Sequence, residues 1–544
     1  MTRPATIDPV TLEILWTRMT SVVDEAAATF VRTSFSTLVR EANDYAVVLT
    51  DRRGRNIAQS SQSIPSFICT MPSTIRHFLS VYGEDGMREG DAYVTNDPWL
   101  GSGHLNDASL AMPLFRRGKL VGFAGVVSHL PDIGGRFRSP SNVELYEEGL
   151  QIPPSRLLLA GEPDATLVSL IRANVRVPDE TMGDLWAQIA CCRTLGERLN
   201  TLLDEIDIDL DVFADEVVRR TDTAMREAIA AAPDGTYRSV IENDGTADIP
   251  GGVVHIPCAV TIKGDRVTVD YSGCTPQVNR AINTVYNYTF AYSAYALKAV
   301  FAPWIPNAEG SFMPITITAP ERSILNPVRP APCSARGMIG HLLPPAIFAA
   351  LSKAIPERVQ AAPGSPSNSF QLSTMQSGRG AVVNGFIGAG QGAGTARDGK
   401  SAISFPSNLS NTPIEVLESL VPIEVIRREM RRGSGGGGAR RGGDGITFAF
   451  ASRGDNPIRA AFLINRVRSP APGLKGGVQG KAASFKVNGR ELEPSVPRML
   501  DKGDVVQIES GGGGGFGRPA RAKPARPVRG ARPGKAKPAG RKRR

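Results

Sequence analysis

Residues 96–107 read NDPWLGSGHLND and residues 127–135 read VSHLPDIGG; together they hold two of the five histidines of the chain. His104 with Asp107, and again His129 with Asp132, form one pattern, His-x-x-Asp. An imidazole nitrogen and a carboxylate oxygen three residues apart can converge on one ion where the backbone turns. Pro98, Gly101, Gly103, Pro131, Gly134 and Gly135 punctuate both copies, so both read as loops. The connector LVGFAGVVS at 120–128 reads as a buried strand that delivers His129 at its exit. Mixed nitrogen and oxygen donors in this setting are those of a divalent metal site. They make residues 1–163 an N-terminal α/β region organised around that site.

Working outward, 544 residues suffice for two to four domains with separate cores. A hydrophobic content of 41% and a charged content of 21% fit a soluble globular protein. No apolar run approaches the roughly 18 residues of a membrane span. The opening MTRPATIDP lacks the apolar core of a secretory signal, so a cytoplasmic protein without membrane contact is expected. Cys69, Cys191, Cys192, Cys258, Cys274 and Cys333 show no CxxC pair and no disulfide-like spacing, and read as reduced. The net charge of +10 is carried by the end of the chain: Arg518 to Arg544 holds twelve Lys and Arg and no acid, leaving −2 for the rest. Rich in Pro, Ala and Gly, residues 518–544 are expected to be a disordered basic tail. Without aromatics or a folded groove such a tail gives no nucleic-acid recognition and reads as a solvated extension.

Ile7 to about Ser34 is an amphipathic helix: Asp8 caps it, Pro9 suits its first position, and Leu12, Leu15, Trp16, Met19, Val23 and Ala26 keep helical spacing. AVVLTD followed by RRGR is a strand and turn, with Asp44 at the entry. Spacing alone makes Asp44 a turn or capping residue. A helix is expected over 71–82, with His77 a partly buried helix histidine and not a ligand, and GDAYVTNDP is a strand entering the first loop. Residues 164–234 form a helical segment in which Cys191 and Cys192 fall on the apolar face. Residues 235–443 read as a central α+β domain: a β-meander through His255, helices over 286–300 and 339–355 with His341 near the start of the second, and a strand at FMPITITAP. Residues 444–517 form a β-rich C-terminal unit. The fold class is therefore α+β, multi-domain, with mixed or antiparallel sheets. Three glycine runs, GFIGAGQGAGT, GSGGGGARRGGDG and GGGGGFG, lack the strand–turn–helix context of a phosphate cradle and read as flexible turns.

Taken in order, NDPWLGSGHLND, HLPDIGG, EEGLQIPP, NVRVPDETMGDLWAQI, GTYRS, VTVDYSGCTPQV, LNPVRPAP, SNTPIEVLE, GSGGGGARRGGDG and GDVVQIESGGGGGFG resemble the hydantoinase B/oxoprolinase family, from about Asp8 to Pro519. This is the metal-bearing subunit of ATP-dependent hydantoinases, lactamases and 5-oxoprolinases, similar also to the large subunits of ketone carboxylases. The resemblance implies a partner of hydantoinase A type, with an actin-like fold, that binds ATP and phosphorylates the oxygen of a cyclic amide or imide. It implies a hetero-oligomer, and a divalent metal (zinc or manganese, with iron as a third option) held by Asp44, His104, Asp107 and His129. Metal-activated water would then attack the activated carbon. Asp132 is left behind the ligands or as a proton acceptor, the catalytic residue expected here. Three departures bear on the substrate: LVREANDYA stands where the family reads close to NIKERxDFS, Leu130 follows His129 where many relatives have a second histidine, and GAGQGAG replaces an aromatic glycine-rich stretch. Besides this hydrolase reading stand a ketone or aryl-ketone carboxylase subunit and a non-catalytic metal-containing scaffold with a polyanion-binding tail.

Overall fold

The computed structural model describes residues 7–206, 208–246, 248–364, 368–376 and 379–519. From residue 520 onward the expected basic tail lies outside the described residues.

Helix α1 (Pro9–Thr33) starts as its sequence dictates: the Asp8 carboxylate accepts from the Val10 and Thr11 amides at 3.1 Å, and Pro9 occupies the first turn. A single turn, α2 (Thr37–Arg40), leads to a seven-stranded sheet. Its strands are β1 (Tyr45–Asp51), β2 (Asn56–Gln59), β3 (Ala92–Thr95), β4 (Asp107–Arg116), β5 (Lys119–His129), β6 (Ser155–Leu159) and β7 (Glu162–Pro163). They pair antiparallel in the order β2-β1-β5-β4-β3-β6-β7. Both faces are covered, which is why β1 is buried throughout and carries no polar alternation. Tyr45, Val47 and Leu49 point into one core with α1; Ala46 and Val48 point into another with α3 (Thr70–Tyr82). The expected helical segment resolves into α4 (Ala165–Asn174), α5 (Pro178–Glu205) and α6 (Leu210–Ala230). Helix α5 packs on β4, β5 and α1, and Cys191 and Cys192 are buried in that interface.

A second core lies around β8 (Gly235–Asp244), β9 (Val253–Lys263), β10 (Arg266–Asp270) and β11 (Ile315–Thr318), in the order β11-β10-β9-β8 with only the β10–β11 pair parallel. Helix α7 (Tyr286–Phe301), the turn α8 (Gly337–Gly340) and helix α9 (Leu343–Leu351) fill this core. The single helix expected over 339–355 is broken because Pro344 and Pro345 lack the amide donors a continuous helix needs, and they open α9 instead. His255 lies across from Glu242 in the β8–β9 ladder, 3.2 Å from it on an exposed face.

Strands β12 (Asn368–Gln376) and β13 (Arg379–Ile387), helix α10 (Ile414–Leu420), then β14 (Ile423–Arg431), β15 (Gly445–Ser452), β16 (Ile458–Leu463), β17 (Ser484–Val487), β18 (Arg490–Glu491), β19 (Arg498–Leu500) and β20 (Val505–Glu509) make two further sheets. Their orders are β13-β12-β16-β19 and β14-β15-β20-β17-β18, so strands from either side of residue 443 share both. Phe370, Phe448 and Phe450 are part of the core between them. With 31% helix and 27% strand in four mostly antiparallel sheets, the architecture is multi-domain α+β.

The glycine runs are not flexible turns. The amides of Gly512 and Gly515 donate to Lys481 and Val478, those of Gly513 and Phe516 to Gly443 and Arg440, and that of Gly514 to Ala362, all at 2.9–3.1 Å. A partner that recurs every third residue is the signature of a polyproline II-like chain, with three residues per turn. The run at 511–517 is thus the centre of a hydrogen-bonded bundle of extended glycine-rich segments. A Cβ on Gly513 would lie 2.0 Å from the Gln391 carbonyl oxygen, so the side-chain-free backbone is what lets the segments approach.

Candidate metal centre

Three neighbouring strands of the first sheet place the donors. Strand β4 begins at Asp107, β5 ends at His129 directly opposite it, and β1 begins one residue after Asp44. The His129 amide donates to the Asp44 carbonyl at 3.3 Å, so the three backbones are in register at one edge. His104 reaches the same point from the loop before β4. Asn96 pins that loop: its Nδ2 donates to the Leu105 and Leu150 carbonyls at 2.8 and 2.9 Å, and its Oδ1 accepts from the Ile152 amide at 2.6 Å. Trp99 Nε1 donates to the Pro327 carbonyl at 2.9 Å, tying the loop to the second core.

Asp107 Oδ1 lies 2.7 Å from His104 Nε2 and 3.2 Å from His129 Nδ1, and Asp44 Oδ2 lies 3.9 Å from His129 Nδ1. One ligand atom each of His104, Asp107 and His129 falls within 4.8 Å of the others. All four side chains are buried. His104 Nδ1 faces the Ser334 carbonyl at 3.3 Å and its Nε2 faces Asp107 Oδ1 at 2.7 Å; with a cation in the cluster, a ring proton on Nδ1 would leave the Nε2 lone pair for the ion. His129 Nε2 is buried with no hydrogen-bond partner among the described residues. Asp107 Oδ2 accepts from Ser102 Oγ at 2.6 Å and from Arg336 Nη2 at 2.5 Å. Arg336 also donates from Nε to the Ser102 carbonyl and lies over the Tyr288 ring at 4.3 Å. Gly103, at φ 107°, makes room for it: a Cβ there would sit 2.8 Å from Arg336 Cδ.

Burial disfavours every charged form here, and the neighbours decide which survive. Burial, with Arg336 beside it, pushes His104 down to about 3, and burial pushes His129 down to about 4, so both imidazoles are neutral at pH 7. Burial alone would raise Asp107, but His104 and Arg336 hold it well below the usual carboxylate range. Burial, with Asp107 nearby, pushes Asp44 up to about 7. Two neutral imidazoles, one firm carboxylate, one carboxylate ready to lose its proton and an orphaned buried nitrogen form a donor set that fits a divalent cation.

Asp132 stands elsewhere. Its Oδ1 pairs with Arg176 Nη1 at 2.6 Å, its Oδ2 accepts from the Arg176 amide at 2.5 Å, and it does not line the cavity. The cavity over the donors is small, about 50 Å³, and its wall includes Arg138, Tyr288, Tyr292, Arg336 and His341. The two tyrosine hydroxyls lie 2.9 and 2.8 Å from His341 Nε2. An open cleft of about 760 Å³ adjoins it and shares Ile64 and Leu409 as lining. Those two apolar side chains stand between the cleft and the donors. Glu148 accepts from the Cys333 and Ser334 amides at 2.9 and 2.8 Å and so braces the segment that carries the Ser334 carbonyl and Arg336. Sequence reasoning missed Arg138, Arg336, Tyr288 and Tyr292, which carry no spacing pattern. Glu148 was visible only as part of EEGLQIPP.

A seven-stranded antiparallel sheet with a His/Asp cluster buried at one edge defines a protein built around an internal polar centre. The chain matches the hydantoinase B/oxoprolinase family over residues 8–519, and belongs to it. A Pseudomonas sp. protein named as a D-/L-hydantoinase component is 28% identical over 546 residues, covering 95% of this chain and 91% of that protein. The crystal structure of an ATP-dependent caprolactamase from Pseudomonas jessenii matches with a TM-score of 0.84 at 26% identity, over 94% of this chain and 92% of that one. Acetone carboxylase, in its nucleotide-free structure, shares the fold: the TM-score is 0.85 at 21% identity, over 94% of this chain and 76% of that one.

Proposed function

We propose that this chain is the metal-bearing subunit of an ATP-dependent cyclic amide or imide hydrolase, working in the cytoplasm with a hydantoinase A-type partner that binds ATP and phosphorylates the substrate oxygen. The observation that carries the reading is the convergence of Asp44, His104, Asp107 and His129 at one sheet edge, with His129 Nε2 unpartnered. A divalent ion held by these four, zinc or manganese before iron, would supply Lewis acidity, polarising a substrate oxygen and acidifying a water near neutral pH. The chain's own residues do the rest. Ser102 and Arg336 fix the Asp107 carboxylate, and the Ser334 carbonyl fixes the His104 ring. Tyr288, Tyr292 and His341 give the cavity wall a hydroxyl–imidazole relay for a proton bound for the departing nitrogen. Asp132, bonded to Arg176, steadies the loop after His129. Amide resonance makes the carbon a poor electrophile, which is why prior phosphorylation by a partner suits a subunit without a phosphate-binding loop of its own.

Metal analysis of the purified chain should find about one divalent ion per chain, and His104→Ala with His129→Ala should lose it. Full metal retention by the double variant would exclude this centre and leave the scaffold reading. With the partner present, hydantoin, 5-oxoproline and caprolactam are assayed for ATP-dependent opening, with and without bicarbonate. Ketone consumption that requires bicarbonate would assign the carboxylase reading instead.

A further inference from the structure

One cation in the cavity has no assigned task. Arg138 lies on the cavity wall, held by β12: its amide donates to Gln371 Oε1 and its Nη2 to Ser369 Oγ, both at 3.1 Å. Its Nε is buried without a partner, and it forms no ion pair among the described residues. Arg336 differs in this respect, since Asp107, the Ser102 carbonyl and the Tyr288 ring engage it fully.

The charge count gives Arg138 a purpose. Counted at formal charge, with the imidazoles as neutral ligands, Asp44 and Asp107 balance Arg138 and Arg336 on the same cavity wall. Adding a divalent cation leaves the cavity at plus two. A desolvated excess of that size is costly unless a ligand of opposite charge arrives. A neutral cyclic amide does not supply it; a phosphoryl dianion does, and a guanidinium fork matches phosphoryl oxygens better than an ammonium. Burial lowers Arg138 to about 10, so it stays protonated at neutral pH.

The geometry points to Arg138 as the residue that receives the phosphoryl group of the activated substrate and holds it beside the metal centre. This rests on the metal reading proposed above and adds the residue that recognises the anion. Ser369 positions it, and Tyr288 lines the same wall.

The test uses the full chain loaded with Mn²⁺ and inorganic phosphate as the probe. Phosphorus-31 relaxation reports phosphate within a few ångströms of the paramagnetic ion. Wild-type protein should relax phosphate saturably. Arg138→Gln should bind it at least tenfold more weakly with unchanged manganese content, and Arg138→Lys should recover part of the loss, which a purely structural defect would not do. In the coupled reaction the Gln variant should raise KM more than it lowers kcat. Phosphate affinity within threefold of wild type in Arg138→Gln overturns the proposal, as does a manganese-loaded wild type that leaves phosphate unrelaxed. A wild-type chain that takes up neither zinc nor manganese overturns the metal reading and this proposal with it.

Discussion

At the scale of the residue, two copies of His-x-x-Asp have different fates. Asp107 turns inward because β4 begins there and Ser102 and Arg336 hold its outer oxygen; Asp132 turns to Arg176. Spacing shows that two groups can meet but not where the following loop goes, so the pattern was legible and its second half was not. Asp44 had no pattern at all and needed the family resemblance. Its position has a consequence for metal uptake. Held at about 7, Asp44 keeps a proton below that pH which an incoming ion must displace. Affinity should fall about tenfold per pH unit below about 7 and flatten above it. Calorimetry in buffers of different ionisation enthalpy should find about one proton released per ion at pH 6, and the slope should vanish in Asp44→Asn. Stability of the ion-free chain runs the other way. Asp44 and Glu148, the latter pushed up to about 8 by burial, keep their protons in the folded state over a range where the unfolded chain has lost them. The ion-free protein should therefore lose stability as pH rises from 5 to 8. Glu148→Gln should remove the loss between 7 and 8 and about half of the loss between 5 and 7, where Asp44 supplies the rest, seen in denaturant titrations at each pH. Breaking the buried Asp107–Arg336 pair with Arg336→Met should cost about 3–5 kcal/mol in the same titrations, since it leaves a buried carboxylate without its cation.

At the scale of the element, a sharp contrast lies in the glycine bundle. Gly513→Ala should lower stability by about 1–3 kcal/mol or more, because its Cβ would meet the Gln391 carbonyl at 2.0 Å, and what it meets is backbone, not a side chain that can swing aside. Gly437→Ala in the same bundle has only Val478 Cγ2 at 3.9 Å and should change stability by about 0.5 kcal/mol or less. Equal losses from both substitutions in a thermal melt would show that the runs respond to backbone entropy and not to close packing. The helices and the two-sided sheet were readable because side-chain periodicity records burial: α1 repeats every three to four residues, and β1 is apolar from Tyr45 to Leu49 without polar alternation. A glycine segment has no side chains in which to record it. Its packing is encoded as the absence of Cβ atoms, which looks the same as flexibility until the neighbouring segments are seen. The break between α8 and α9 was, by contrast, written in Pro344 and Pro345.

At the scale of the whole molecule, the centre is where three parts of the chain meet. The first sheet brings the four donors, the second unit brings Arg336, Tyr288 and His341, and β12 positions Arg138 through Ser369. No local pattern could announce such a junction, because each contributor looks ordinary within its own segment. A ligand bound at a junction stabilises every part that contributes to it, provided it binds the folded state alone. Loading the chain with zinc or manganese at a hundredfold excess over the dissociation constant should thus add about 2.7 kcal/mol to unfolding as one cooperative shift. Hydrogen exchange should slow together in β5, in the 333–341 segment and in β12, not in β5 alone. The His104→Ala, His129→Ala double variant should show no shift, and removal of residues 520–544 should leave it intact. Protection confined to the first sheet would mean that Arg336 and Arg138 merely lie near the donors, and that the metal-bearing edge works as a part of the first unit without the rest of the fold.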